Sequence, residues 1–121
     1  MNKQSMFAII AAVVLLGACS NPSSWYPSGT ASLAGSYEVD DGTVKSVVVT
    51  VTLENTGDSA INHSTFTVQA QTDTRLYWKT ATVDTRILPG AKIKATVEVV
   101  YAVITETLAV NGVSIIDPFF E

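Results

Sequence analysis

From Lys45 to Asn55 the chain alternates with period two. Val47, Val49, Val51 and Leu53 fall on one side, while Ser46, Thr50, Thr52 and Glu54 fall mostly on the other. Successive side chains of a strand point to opposite faces, so this run predicts a strand with one buried and one wet face. An amphipathic helix would need apolar residues at i, i+3, i+4 and i+7. After Gly35, where Val and Thr dominate, no window sustains that spacing. The body of this chain is therefore expected to be sheet.

Other segments repeat the pattern. Ser64–Thr72 sets Phe66, Val68 and Ala70 against Thr65, Thr67, Gln69 and Gln71. Thr74–Val83 predicts the next strand, with its face ambiguous around Leu76-Tyr77-Trp78. Lys92–Thr105 is the longest, with Ile93, Ala95, Val97, Val99, Tyr101 and Val103 sharing a face. A short first strand is expected at Ser36–Val39, closed by Asp40-Asp41-Gly42. Asn55-Thr56-Gly57-Asp58 and Leu88-Pro89-Gly90 have turn chemistry. Asn111-Gly112 predicts a type I′ hairpin with arms Leu108–Val110 and Val113–Ile116. About seven short strands at this spacing predict an all-β, immunoglobulin-like antiparallel sandwich, with a small β-barrel as the alternative.

The run from Val47 to Asp58, then Phe66-Thr67-Val68, then Ile87-Leu88-Pro89-Gly90 ahead of a Val-rich strand, is similar to small Ig-like modules of the FxLYD, CARDB and WHy types. The shared core is an apolar strand ending in Asn-x-Gly and a later Pro-Gly turn. The Phe-x-Leu-Tyr-Asp signature of the first type is absent, so the resemblance is to the class. It implies an accessory or binding module and supplies no catalytic residues.

Ahead of this body, Met1–Ser5 carries Lys3, and Met6–Leu16 is apolar or small throughout. That order is the plan of a secretory signal peptide, and the run falls short of the about 20 apolar residues that span a bilayer. A short buried helix or an unprocessed anchor is the other reading. Leu16-Gly17-Ala18-Cys19 resembles a lipobox, the motif at which bacterial lipoproteins are acylated on the cysteine and cut before it. Cys19 is the only cysteine of the chain, so it has no partner for an internal disulfide, and acylation gives it a use. The resemblance implies two or three acyl chains on Cys19, and two suffice for stable anchoring.

Residues 1–18 are then a signal peptide, 19–34 the lipidated cysteine with a flexible tether rich in Ser, Pro and Gly, and 35–121 the body. Trp25-Tyr26 within the tether suits either the lipid headgroup level or a lid over the body's edge. Ser20 after the cysteine resembles the pattern of outer-membrane sorting in bacteria with two membranes, and the expected location is the cell envelope. Losing Lys3 with the leader would take the formal charge from −4 to −5. Basic residues are scattered, which argues against nucleic acid as a partner.

Catalytic constellations are thin. His63 is the only histidine; a Ser-His-Asp arrangement would have to recruit Ser64 or Ser59 with Asp58, and adjacency in sequence is not triad geometry. Zinc requires several Cys or His ligands. Oxygen donors for calcium group as Glu38, Asp40 and Asp41, or as Asp58 with Asn55 and Asn62, but Asx turns account for them without a metal. No catalytic residue, metal or cofactor is expected. The outward positions of the long strand begin polar at Lys92, Lys94, Thr96 and Glu98, then turn apolar at Val100, Ala102 and Ile104. Val48 breaks the polar side of its own strand in the same way. The favoured reading is that another strand, the tether or the Asp117–Glu121 tail covers this patch; the other is a contact site for a partner. The sequence thus predicts a membrane-anchored binding module with an envelope protein as partner. Its rivals are a structural protein self-associating through edges such as Lys92–Ile104, and a hydrolase of envelope polymers.

Overall fold

The computed structural model describes residues 27–121. The segments expected to be a signal peptide and a lipobox ending at Cys19, and Trp25-Tyr26, lie outside the described residues. Six strands and no helix occur among those described. They are β1 (Gly29–Asp40), β2 (Lys45–Asn55), β3 (Ser64–Thr72), β4 (Leu76–Val83), β5 (Lys92–Val100) and β6 (Leu108–Phe120). Two antiparallel sheets of three strands result, in the orders β1-β2-β5 and β4-β3-β6.

The central strand of each sheet is the one with the cleanest alternation. Val47, Val49, Val51 and Leu53 of β2 face Phe66, Val68 and Ala70 of β3 across a shared core, all with no exposed surface. Burying each of the larger side chains stabilises the fold by about 1.5–3 kcal/mol relative to leaving it in water. Val97 and Val99 of β5, Phe120 of β6 and the bridge pair Ile61 and Ile87 complete the core. Both sheets run between two common ends. Pro27 enters at the end formed by the 56–63 and 84–91 segments and the C-terminus, while the 41–44, 73–75 and 101–107 segments form the far end.

Strands β2 and β3 coincide with their predicted bounds; four other expectations are corrected. The first strand begins at Gly29 rather than Ser36, so residues 29–33, expected in the tether, pair with β2 from Asn55 to Val51, and Ala34 forms a bulge before Gly35. The long strand stops at Val100; Tyr101 keeps its expected inward position and hydrogen-bonds the far-end network, while the chain beyond it turns and leaves Val103 exposed instead of buried. Thr74 belongs to a turn in which Thr72 Oγ1 accepts the Thr74 and Arg75 amides. The predicted hairpin at Asn111-Gly112 is absent, and this reduces about seven expected strands to six.

Both presumed hairpin arms instead belong to β6 and pair with β3. Between the pairs Ala70↔Val113 and Thr72↔Leu108, the single residue Gln71 faces residues 109–112, so the turn signal is spent on a bulge. Asn111 has a φ of 55° there, and a Cβ on Gly112 would lie 2.6 Å from the Gln71 carbonyl oxygen. Arms this short gain little by pairing with each other, whereas Leu108, Val113 and Ile115 pack against the core when both pair with β3.

Candidate docking face

The outer face of the first sheet is built in cross-strand rows. From the entry end these are Thr30-Glu54-Lys92, Ser32-Thr52-Lys94, Gly35-Thr50-Thr96, Tyr37-Val48-Glu98 and Val39-Ser46-Val100. Polarity therefore changes along the strands, from hydroxyl and charged groups near the entry to apolar groups at the far end. Val48 and Val100, picked out separately in the sequence, come together in adjacent rows. β1 adds Tyr37 and Val39, and Val44 of the following turn extends the patch.

Tyr37 is 61% exposed, Val100 51%, Val44 45% and Val39 41%. Ala102 is exposed as well, and Val48 and Ile104 are half-buried. The C-terminal tail does not cover this patch, because residues up to Phe120 pair with β3 in the other sheet. The favoured expectation of a covered face thus fails for the tail, and the strand beside β2 adds apolar surface instead of hiding it. Tyr37 and Val39 were missed because alternation in Ser36–Val39 shows which residues share a side but not whether that side faces water.

Acidic groups border the patch and, at Glu98, enter it. Glu98 Oε2 accepts a hydrogen bond from Ser46 Oγ at 2.7 Å, and Asp40 and Asp41 stand exposed at the adjoining turn. Asp41 Oδ1 accepts the Val44 and Thr43 amides, which hold its carboxyl below the ordinary range. Asp40 Oδ1 accepts the Gly42 amide. Glu38 points inward, where its Oε2 accepts Tyr101 Oη at 2.8 Å and the Leu108 amide at 2.9 Å. The oxygen donors that suggested calcium are thus engaged by this turn and by the core's edge. Among the described residues no group of three or more His, Cys, Asp or Glu is placed to hold a metal ion.

Behind the patch lies a buried carboxylate that the sequence did not single out. Glu106 Oε1 accepts Thr72 Oγ1, and its Oε2 accepts Tyr77 Oη, both at 2.6 Å. The Val103 amide and Arg75 Nε approach the same Oε2 at 3.1 and 3.5 Å. Burial by itself would raise this carboxyl's pKa, but the hydrogen bonds from Thr72, Tyr77 and the Val103 amide outweigh it and hold the pKa at about 2. Tyr77 and Tyr101 stack with ring centroids 5.8 Å apart. Burial raises both phenols, and the Glu38 carboxylate adds to the rise at Tyr101.

The histidine sits at the other end. His63 Nδ1 pairs with Asp84 Oδ1 at 2.5 Å, with both side chains substantially exposed. Neither Ser64 nor Asp58 joins this pair. Ser64 Oγ is enclosed in the core with no hydrogen-bond partner among the described residues, and Asp58 stands exposed on its turn. Asn55 is internal: its Nδ2 donates to the Ser59 and Ile87 carbonyls and its Oδ1 accepts the Gly57 amide. Asn62 is exposed while its backbone amide donates to Glu121 O. Asn55 and Asn62 thus close loops. Comparison with known families, curated proteins and solved structures found no match to this chain.

Proposed function

We propose that the chain is a lipid-anchored, non-catalytic binding module of the bacterial cell envelope. In this reading the body is an Ig-like sandwich, and the apolar far-end patch docks an envelope protein. One observation carries it: exposed Tyr37, Val39, Val44 and Val100 cluster at the end opposite the one where Pro27 enters. A tether on Cys19 would then hold the entry end toward the membrane and turn the patch away from it. The acidic groups of Asp40, Asp41 and Glu98 call for a partner surface that sets basic groups beside apolar ones. Self-association through the edge of β5 is disfavoured by the exposed Lys92, Lys94 and Glu98 along it.

The test is site-specific photo-crosslinking in cells, with the photoreactive residue at position 100 or, as control, at position 94. One defined protein captured from position 100, absent from position 94 and lost on Val39→Asp, is the expected result. A Cys19→Ser form should release the chain from the membrane fraction and sharply reduce the capture. Equal capture from both positions would remove the docking face. Unchanged membrane recovery of the Cys19→Ser form would remove the anchor.

A further inference from the structure

The outer face of the second sheet differs from that of the first in composition. Its rows are Leu76-Gln71, Trp78-Gln69-Ser114, Thr80-Thr67-Ile116 and Thr82-Thr65-Phe119. None of these paired side chains is charged, the exposed Asp117 sitting in the bulge between Ile116 and Phe119, whereas the paired rows of the first sheet's outer face carry Glu54, Lys92, Lys94 and Glu98. Trp78 stands 61% exposed beside Gln69. Gln69 Oε1 accepts a hydrogen bond from Ser114 Oγ at 3.2 Å, and the Thr67 and Thr80 hydroxyls lie 3.1 Å apart.

We infer that this face is a platform for a neutral glycan, with Trp78 as its stacking ring. A pyranose offers an apolar C–H face and a rim of hydroxyls, each able to donate and accept. An indole fixed on a strand meets the first at low entropic cost, because few torsions remain to be frozen. Amide and hydroxyl groups of Gln69, Ser114, Thr67 and Thr80 match the second, since they too donate and accept. The absence of charge from the paired rows selects against anionic and cationic ligands, and the density of hydroxyls is wrong for the dry centre of a protein interface. Phe119, 48% exposed, supplies a second ring at the other end of the face. It lies four residues along β3 from the Trp78 row, about 13 Å at strand rise, which leaves room for a short oligosaccharide.

This site is separate from the far-end patch, and the experiment keeps them apart. The full-length chain with Trp25→Phe, in which Trp78 is the only indole left of two, is titrated with cellohexaose and with the N-acetylglucosamine hexasaccharide. Fluorescence and calorimetry follow binding, and polygalacturonate serves as the anionic control. Saturable binding of at least one neutral oligosaccharide is expected. It should weaken more than tenfold on Trp78→Ala with an unchanged melting temperature, less on Trp78→Phe, and not at all on Val100→Asp. No saturable binding of either at millimolar concentration would overturn the inference, as would binding of polygalacturonate alone or full binding by Trp78→Ala.

Discussion

At the end where Pro27 enters, the loops are tied by a neutral side chain. The Asn55 amide reaches the Ser59 and Ile87 carbonyls at 2.7 and 2.9 Å, and backbone bonds join Ile61 to Ile87 and His63 to Glu121. At the far end the same task falls to carboxylates, among them Asp73, which accepts the Thr107 amide. Glu38 fastens Tyr101 and Leu108, and Glu106 fastens Thr72, Tyr77 and the Val103 amide. Both arrangements satisfy loop groups that would otherwise be lost to burial. They differ in what the solvent can do to them: an amide does not titrate, whereas a carboxylate that takes a proton loses its charge and part of its acceptor capacity.

The largest effect is expected from Asn55→Ala. It leaves the Ser59 carbonyl and the Gly57 amide without this partner and takes one of two donors from the Ile87 carbonyl, which keeps the Ile61 amide; with the lost side-chain packing the cost is about 3 kcal/mol. For a domain of this size that lowers the melting temperature by more than about 10 °C. Calorimetry from pH 2 to pH 8 should find the loss flat with pH. A loss that varies with pH would break the contrast between the two ends.

Glu106→Gln comes next and should be smaller, because the amide keeps the shape and part of the acceptor capacity. Melting temperature at pH 7 should fall by about 5 °C. The folded pKa of about 2 lies below the ordinary 4.5, so the contribution of Glu106 is present in full above the ordinary value. It is lost as pH falls through the folded one. The gap between the two proteins should therefore close between pH 4.5 and about 2. Tyr77 and Tyr101 act in the opposite direction. Their pKa values are raised, so what they contribute is present below the ordinary phenol value and lost in alkali. A gap that persisted at pH 2 would mean that shape and not charge holds this end.

His63→Ala should have the smallest effect. The His63–Asp84 pair is 39% and 76% exposed, and such pairs contribute about 0–1 kcal/mol. Thermal melts at low and high salt should differ from the parent by no more than about 5 °C. A larger, salt-dependent loss would place a strong ionic tie at the entry end and erase its neutrality.

How much of this was legible depended on the length and regularity of each signal. β2 and β3 were read to the residue because long alternation, closed by Asn55-Thr56-Gly57 or by Thr72 and its turn, leaves one consistent assignment. β1 was underestimated because Gly29, Ser32 and Gly35 dilute its pattern, and pairing with β2 supplies what local preference does not. Asn111-Gly112 misled for a definite reason: its backbone geometry serves a bulge as readily as a hairpin. The Val48 and Val100 breaks were visible in the sequence, but their union with Tyr37 and Val39 needed the register of three strands. Glu106 gave no signal, since its partners Thr72, Tyr77 and Val103 are scattered along the chain and meet only through the closure of the sandwich.

By itself the sequence determined the all-β character of the body and the two central strands, because a period of two is a local property of the backbone. It also carries the lipobox-like Leu16–Cys19, a linear motif independent of the fold. Only the tertiary structure decided the order of strands in each sheet, the exposure of the far-end patch, the uncharged face around Trp78, and the choice between amide and carboxylate at the two ends. Each of these depends on which segments become neighbours, and that choice is made by burial of the shared core rather than by any stretch of chain alone.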